Sequence, residues 1–195
     1  MAFEGGEGCG KSTQASLLAG RLGAVLTREP GGTAAGERIR SLLLDPGLGE
    51  LGATAELLLM AAARAEHVRT VIRPALEAGR HVVTDRFSGS SLAYQGYGRG
   101  LDLDLVRSIS GAATGGLEPD VTVLLDLPAA VAASRRSGAP DRIEAAEPGF
   151  HEKVLRGFSE LARIEGWVVV DGSGTPEEVA VRVAGAVGPV AVLRA

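Results

Sequence analysis

The chain has 195 residues, of which 45 % are hydrophobic and only 4 % aromatic, and its net charge is −4. This length suits one domain with a full core, and the negative charge gives no general case for nucleic-acid binding. The single cysteine, Cys9, excludes an internal disulfide and a cysteine-based zinc cluster. Because we find no signal peptide and no apolar run that could span a bilayer, we expect a cytoplasmic protein that binds no membrane.

The first motif in chain order fits G-x-x-x-x-G-K-[ST], the P-loop that binds a nucleoside triphosphate with Mg²⁺. Lysine is rare here, with only Lys11 and Lys153 in the chain, so a chance match is uncommon. We expect Lys11 to reach the β- and γ-phosphates and the Ser12 hydroxyl to ligate the metal. The residues expected around the phosphates are Gly5, Gly6, Glu7, Gly8, Cys9, Gly10, Lys11, Ser12 and Thr13.

Short β-type runs alternate with longer helical ones, which predicts an α/β fold. We expect a single-domain, three-layer α/β/α architecture of the P-loop NTP hydrolase type, with a central five-stranded parallel sheet. The predicted strands are 1–4, 23–27, 81–85, 121–126 and 166–170. The predicted helices are 11–22, 34–44, 53–79, 102–112, 128–137, 149–165 and 175–186. Pro74 should kink the third helix or begin a separate piece, and residues 138–148 should form a mobile loop over the site, which we call the lid loop.

Two predicted strands end in an aspartate, at Asp85 and Asp126. Ligands bind at the carboxyl ends of parallel strands, where a carboxylate beside the P-loop can help to hold Mg²⁺. We therefore expect Asp85 to join Ser12 at the metal. For Asp126, which precedes Pro128 at a helix start, capping and metal binding are equally good interpretations.

Arginines gather where the sheet edge should lie, at Arg40, Arg64, Arg86 and around the lid loop. Arginine is always charged and binds phosphate bidentately, so such a cluster suggests that more than one phosphorylated group is bound. Met60 and Arg64 share one helix face because they are four residues apart. Ser91, Tyr94 and Gln95 fall at helical spacing and could line one wall of a pocket for a base and sugar.

Several motifs together resemble bacterial thymidylate kinases over residues 3 to about 183. They are Phe3-Glu4-Gly5 before the P-loop, Thr27-Arg28-Glu29-Pro30-Gly31-Gly32-Thr33, Ile39-Arg40-Ser41-Leu42-Leu43-Leu44, Asp85-Arg86-Phe87, Ser91-Leu92-Ala93-Tyr94-Gln95-Gly96, and Asp141-Arg142-Ile143-Glu144. The resemblance implies an enzyme that phosphorylates dTMP to dTDP, with ATP as co-substrate and Mg²⁺ as cofactor. It also implies a homodimer formed through the helix at 53–79.

The resemblance also implies a role for each matching residue. Arg86 and Arg40 match arginines that bind the dTMP phosphate, and Glu7 matches an acid near the 3′-hydroxyl. Arg64 matches the arginine that hydrogen-bonds thymine, and Tyr94 matches the tyrosine set against the sugar. Ser91 and Gln95 match polar residues around the base, and Asp85 matches the acid that orders Mg²⁺.

The chain departs from the family pattern at two places. Met60 stands where the family usually has a phenylalanine stacked on thymine, and a thioether offers no π-stacking. The P-loop interior has no arginine, so the chain resembles the subtype whose catalytic arginines lie in the lid region. The candidates are Arg135, Arg136 and Arg142, with Arg142 and one of the pair preferred.

Three other functions remain open on the sequence alone. A kinase of the same architecture could act on a different nucleoside monophosphate or on a deoxynucleoside. A P-loop switch protein is disfavoured, because no Asn-Lys-x-Asp guanine signature surrounds Lys153. An inactive paralogue is disfavoured by retention of Lys11, Ser12, Asp85 and Arg86.

Overall fold

The structure is a computed structural model that describes residues 1–135, 139–147 and 149–192. It contains one sheet of five parallel strands in the order β2-β3-β1-β4-β5. The strands are β1 (Ala2–Glu4), β2 (Val25–Arg28), β3 (Val82–Asp85), β4 (Thr122–Asp126) and β5 (Val168–Asp171). The sheet confirms the predicted α/β class, and it places the strand that leads into the P-loop at the centre.

Two strands begin two residues later than predicted. Gly23 ends the helix before β2 with φ 62°, and Gly166 ends the helix before β5 with φ 68°. Glycine tolerates this left-handed conformation and so commonly ends helices. Gly23 and Gly166 therefore end helices, whereas the sequence predicted that each would begin a strand.

Nine helices occur in the described part of the chain. They are α1 (Lys11–Leu22), α2 (Ala34–Leu44), α3 (Ala53–His67), α4 (Arg73–Glu77), α5 (Ser88–Ser91), α6 (Leu103–Thr114), α7 (Ala129–Ser134), α8 (Phe150–Glu165) and α9 (Pro176–Val192). The predicted helix 53–79 is realised as α3 and α4 joined by π-helical turns over Val68–Ile72. These wider turns end just before Pro74, which cannot donate the hydrogen bond that a regular α-helix would need there.

Two helical stretches differ from the predictions. The first, α5, continues into π-helical turns over Leu92–Gly98, here called the wide segment, which the list of predicted helices omits. This stretch contains three glycines, and because glycine is a poor helix former the sequence did not predict a helix here. The second, α9, runs past residue 186 to Val192, and Val187 is still buried against the sheet. The helix continues through Gly188 and Pro189, although both residue types are poor helix formers.

Helices cover both faces of the sheet, as expected for three layers. One face, including Phe3, Val123 and Val170, packs against buried residues of α1 and α9. The other face, including Leu124, packs against α3, α6, α8 and the wide segment. Each fully buried Leu or Phe contributes about 1.5–3 kcal/mol to folding. The two layers hold the carboxyl ends of β1 and β3 side by side, and the P-loop and Arg86 follow these two ends.

No helix in the described part of the chain is both long and apolar enough to cross a membrane.

Candidate active site

The P-loop begins where β1 ends and reaches α1 through residues that turn the backbone sharply. Gly5 has φ 141°, and a Cβ there would lie 2.8 Å from the carbonyl oxygen of Leu125 and 2.9 Å from the sulfur of Cys9. Only glycine fits such a conformation and such close neighbours. Gly10 precedes α1 with φ 94°, so the chain enters the helix with its first N–H groups free. These groups and the helix dipole favour an anion at this point.

A cavity of about 430 Å³ opens over this loop, here called the P-loop cavity. Its lining includes Glu7, Gly8, Cys9, Gly10, Lys11, Ser12 and Thr13 together with Arg86 and Arg135. Lys11 is almost completely buried, and its ammonium donates a hydrogen bond to the carbonyl oxygen of Gly6 over 2.7 Å. The cavity therefore combines backbone donors, one lysine and two arginines, which is a setting for a phosphate chain.

Ser12 and Asp85 come together beside this cavity. The Ser12 hydroxyl donates a hydrogen bond to Oδ2 of Asp85, and the other carboxylate oxygen, Oδ1, is buried with no partner among the described residues. A buried carboxylate oxygen without a donor is costly unless a cation or water satisfies it. A hydroxyl and one carboxylate suit Mg²⁺, which keeps waters and takes the rest of its oxygens from substrate phosphates. No cluster of three or more His, Cys, Asp or Glu side chains suited to a metal occurs in the described part of the chain.

Asp126 does not cap the helix that follows it. The residue that precedes α7 is Pro128, and no side chain caps that helix. Asp126 is exposed and does not line the P-loop cavity. The capping prediction is therefore wrong, because the chain passes through Leu127 and Pro128 before α7 begins.

A second cavity, of about 170 Å³, adjoins the first and is here called the arginine cavity. Every residue expected to bind the second nucleotide lines it: Glu7, Arg40, Met60, Arg64, Arg86, Ser91, Tyr94 and Gln95. These residues come from the P-loop, α2, α3, the end of β3, α5 and the wide segment. The structure thus brings together residues up to 88 positions apart in the sequence, in one concave site.

Arg86 stands between the two cavities. Its Nη1 donates to the carbonyl oxygen of Gly5 over 3.1 Å and to Ser90 over 3.0 Å, and its Nη2 donates to Glu7 and to the Tyr94 hydroxyl. The Arg86 guanidinium lowers the pKa of Glu7 to about 2, so Glu7 is ionised at neutral pH. Burial raises the pKa of Tyr94, so its hydroxyl is neutral.

On the other side of the arginine cavity, Arg64 is fixed by hydrogen bonds from all three of its guanidinium nitrogens. Its Nε donates to Glu29 over 2.6 Å, Nη1 donates to Ser91 over 3.0 Å, and Nη2 donates to the carbonyl oxygen of Phe87 over 3.0 Å. Glu29 also accepts from Nδ1 of His67 at 2.9 Å. The buried carboxylate therefore orients an arginine that faces the cavity.

Comparison with known proteins decides the family. The family model described as "Thymidylate kinase" matches residues 3–183. The thymidylate kinase of Desulfovibrio desulfuricans is 51 % identical over 92 % of this chain and 90 % of the relative. That of Deinococcus radiodurans is 48 % identical over 91 % of this chain and 90 % of the relative.

The chain belongs to the thymidylate kinase family. The family resemblance seen in the sequence is thereby confirmed, and with it the family reaction, ATP-dependent phosphorylation of dTMP to dTDP. A crystal structure of the thymidylate kinase from Ehrlichia chaffeensis superposes with a TM-score of 0.78 at 31 % identity, covering 94 % of this chain and 95 % of that chain. This match confirms the fold of a P-loop thymidylate kinase.

The lid-region arginines separate into different positions. Arg135 lines the P-loop cavity and donates to the carbonyl oxygens of Gly172 and Gly174 over 3.1 and 3.2 Å. Arg142 lines neither cavity: its Nη2 donates to Glu56 over 2.7 Å and its Nε to the carbonyl oxygen of Leu43 over 2.7 Å, whereas its neighbours Asp141, Ile143 and Glu144 line the arginine cavity. The structure does not bring Arg142 to the P-loop cavity, although it was the preferred candidate. Arg136 lies outside the described residues.

Two carboxylates of this site, Glu29 and Glu56, were not assigned roles from the sequence. Glu29 belongs to the Arg-Glu-Pro-Gly-Gly-Thr motif, and it is joined to Pro30 by a cis peptide bond. Glu56 is a charged residue among apolar ones in α3, and it is completely buried. A lone charge on the apolar face of a predicted helix was the signal that could have pointed to Glu56, because buried carboxylates need partners.

Proposed function

We propose that this protein transfers the γ-phosphoryl group of ATP to dTMP, with ATP phosphates in the P-loop cavity and dTMP in the arginine cavity. One observation carries this proposal: the two cavities share Glu7 and Arg86 as a common wall. Ligands bound in both would meet at that wall, which an enzyme needs when it moves a phosphoryl group directly between two nucleotides.

On the donor side, Lys11 and the P-loop N–H groups neutralise and orient the phosphate chain of ATP. Ser12 and Asp85 would hold Mg²⁺, which supplies charge neutralisation at the phosphates when it is bound. Support for this comes from the unpartnered oxygen of Asp85 and the adjacent Ser12 hydroxyl. Arg135 adds a positive charge at the edge of the same cavity, so it is our first candidate for stabilising the transferring group.

On the acceptor side, Arg86 and Arg40 bind the phosphate of dTMP. Arg40 is half-buried, donates to the carbonyl oxygen of Pro30 over 3.0 Å and lines the arginine cavity. The acceptor phosphate is already an anion, so it attacks without a side-chain general base. Arg86 holds it in line and shares its charge between this phosphate and Glu7, and closure over the site keeps water from competing as the acceptor.

The base and sugar are read by the remaining residues of the arginine cavity. Arg64 donates to an oxygen of thymine, and Ser91 and Gln95 complete the polar edge around the base. Met60 covers one face of the ring with its thioether. Tyr94 stands against the sugar, and its ring is fixed by Phe150 and Phe158 at centroid distances of 6.1 and 6.0 Å. A fixed ring there disfavours a ribose 2′-hydroxyl.

We also propose that residues 1–195 act as a single domain that functions as a homodimer in the cytoplasm, where ATP is available. Exposed apolar side chains on α3 support a partner surface: Leu58 is 52 % exposed, and Ala55 and Ala62 lie on the same helix face.

An acceptor panel tests the proposed reaction. We expect a coupled assay of dTMP, dUMP, UMP, CMP, AMP and GMP to give the highest kcat/KM for dTMP, and a higher value for any other acceptor would refute the assignment. Lys11→Met should lower kcat by several orders of magnitude, because it removes the charge that meets the transferring group. The matched control is Lys153→Met, which removes the chain's only other lysine, an exposed residue of α8, and should leave kcat unchanged.

A further inference from the structure

The carboxylate of Glu56 joins three parts of the molecule. Its Oε1 accepts from Nε2 of Gln95 over 2.9 Å and from Nε of Arg99 over 3.2 Å. Its Oε2 accepts from Nη2 of Arg99 over 3.1 Å and from Nη2 of Arg142 over 2.7 Å. Gln95 belongs to the wide segment, and Arg99 follows directly after it. Arg142 belongs to the lid loop, and Glu56 itself lies in α3.

Glu56 keeps its charge although it is completely buried. Burial acts to raise its pKa, but the hydrogen bonds from Arg99, Gln95 and Arg142 together outweigh burial and lower the pKa below its usual value. An ionised carboxylate only accepts hydrogen bonds. Glu56 therefore presents acceptors, and no donor, to every neighbour.

This has a direct consequence for Gln95. A glutamine amide has a donor end and an acceptor end, and Glu56 can bind only the donor end. Gln95 is itself buried and lines the arginine cavity. With Nε2 tied to Glu56, the carbonyl oxygen of Gln95 is the end of the amide left to accept a hydrogen bond from a base.

The orientation of the Gln95 amide determines which pyrimidine edge it can bind. A 4-oxo pyrimidine such as thymine has a donor at N3 and an acceptor at O4, whereas a 4-amino pyrimidine such as cytosine has the opposite pair. The carbonyl oxygen of Gln95 and the N–H groups of Arg64 together complement the 4-oxo edge. Turning the Gln95 amide over would place two donors at the base and would favour the 4-amino edge at N3.

We propose that Glu56 is a positioning residue that sets base selectivity by fixing the amide of Gln95, and this inference rests on dTMP as the proposed acceptor. The same carboxylate holds Arg142, whose neighbours Asp141, Ile143 and Glu144 line the arginine cavity. Arg142 is tied to α2 as well, since its backbone N–H donates to the carbonyl oxygen of Leu44 over 3.2 Å. Through these hydrogen bonds, Glu56 fixes both the amide of Gln95 and the part of the lid loop that lines the arginine cavity.

Selectivity between two acceptors is the measurement that tests this role. We expect Glu56→Gln to lower the ratio of kcat/KM for dTMP to kcat/KM for dCMP by at least about 10-fold, because an amide at position 56 can bind Gln95 in either orientation. A ratio within 2-fold of wild type would overturn the proposal. The ratio does not depend on the fraction of folded enzyme, since both acceptors are assayed on one preparation. Glu66→Gln, at the surface of the same helix, is the control and should keep the wild-type ratio.

A double-mutant cycle separates orientation from general structural damage. We expect Gln95→Leu to lower the selectivity ratio as well, and Glu56→Gln to change it by less than about 2-fold when added to Gln95→Leu. Losses that multiply in the double variant would show that Glu56 does not act through Gln95 and would overturn the proposal. The swapped pair, Glu56→Gln with Gln95→Glu, keeps an acceptor facing the cavity and the net charge, so it should recover part of the lost preference. A swap that recovers none would also overturn the proposal.

The wild-type panel tells this failure apart from failure of the proposed function. A wild-type enzyme that prefers another acceptor over dTMP refutes the proposed function, whatever the variants do. A wild-type preference for dTMP that survives Glu56→Gln refutes only the role of Glu56.

Discussion

At the scale of single residues, Arg86 is the side chain on which both cavities depend. Its φ of 73° is the only positive value for a non-glycine residue in the described part of the chain. That conformation costs about 1–2 kcal/mol for an L-residue. It is held by the backbone N–H, which donates to the carbonyl oxygen of Phe3 over 2.9 Å, and by the four side-chain contacts of the guanidinium. This conformation turns the guanidinium toward the P-loop and into the wall that the two cavities share.

Met60 gives a prediction about base affinity. It is half-buried, lines the arginine cavity and lies one helical turn before Arg64. We expect Met60→Phe to lower KM for dTMP by about 2- to 10-fold, because aromatic stacking contributes about 0.5–1.5 kcal/mol beyond area burial. Steady-state kinetics should show no change in KM for ATP. A higher KM for dTMP in Met60→Phe would show that the ring does not fit beside the base.

Glu4 gives a prediction about pH. It is completely buried, and burial raises its pKa from 4.5 to about 7, although Phe87 N–H, Ser90 N–H and the Ser90 hydroxyl donate to it. Between pH 4.5 and 7 the unfolded chain has released the proton that the folded chain retains. The free energy of unfolding therefore falls as pH rises through this range, by about 3 kcal/mol in total.

Chemical denaturation at pH 5 and at pH 7 measures this effect. Replacement by Glu4→Gln should make the stability difference between the two pH values smaller than in the wild type. The control is Glu177→Gln, an exposed residue of α9 that should keep the wild-type difference. An unchanged pH dependence in Glu4→Gln would refute a raised pKa for Glu4.

At the scale of elements, close packing of glycines places the wide segment that carries Tyr94 and Gln95. A Cβ on Gly157 of α8 would lie 2.6 Å from Cγ of Tyr97. A Cβ on Gly98 would lie 2.6 Å from the ring of Phe150. Such contacts let α8 lie directly against the wide segment, so the positions of Tyr94 and Gln95 depend on two elements fitting closely.

We expect Gly157→Ala to lower the free energy of unfolding by about 1–3 kcal/mol, because the methyl group forces α8 and Tyr97 apart. The same shift should raise KM for dTMP more than KM for ATP. Gly111→Ala in α6 is the matched control: nothing lies within 4 Å of its Cβ, so it should gain about 0.5–1 kcal/mol. Thermal melts and kinetics on both variants check this, and a Gly157→Ala as stable as Gly111→Ala would contradict it.

The elements also show how far sequence reasoning reaches. Strands and long helices follow from runs of apolar residues, so all five strands were predicted to within two residues at either end. The wide segment was omitted from the predicted helices because its glycines are poor helix formers, although the helical spacing of Ser91, Tyr94 and Gln95 already pointed to it. The partners of Glu56 and Glu29 could not be predicted, since these contacts span 35 to 86 positions of sequence.

At the scale of the whole molecule, the strand order determines which loops meet. β1 lies between β3 and β4, so the P-loop that follows β1 stands beside Asp85 and Arg86 at the end of β3. This juxtaposition could be predicted in outline, because parallel strands place their carboxyl ends at one edge. Which lid-region arginine lines the P-loop cavity could not be predicted, since that depends on the path of the chain near the end of α7.

The proposed dimer gives a prediction about assembly. Leu58 is 52 % exposed on α3, next to Leu57, which is buried in the core. If this helix face is the interface, Leu58→Asp places a charge in it and should yield monomers by light scattering. Val181→Asp on α9 is the control, because Val181 is 73 % exposed on a different helix and should leave the mass unchanged. A monomeric wild type would refute the dimer.

The wall that the two cavities share has a consequence for inhibitor design. Glu7 and Arg86 are joined by a salt bridge, and the arginine also bonds to Gly5, so this shared wall is tied directly to the P-loop. One molecule that tethers a base-like head to a polyphosphate tail could therefore fill both sites. The second half of such a ligand binds at a high effective concentration, provided that the tether matches the span. A tether of the wrong length loses this advantage entirely.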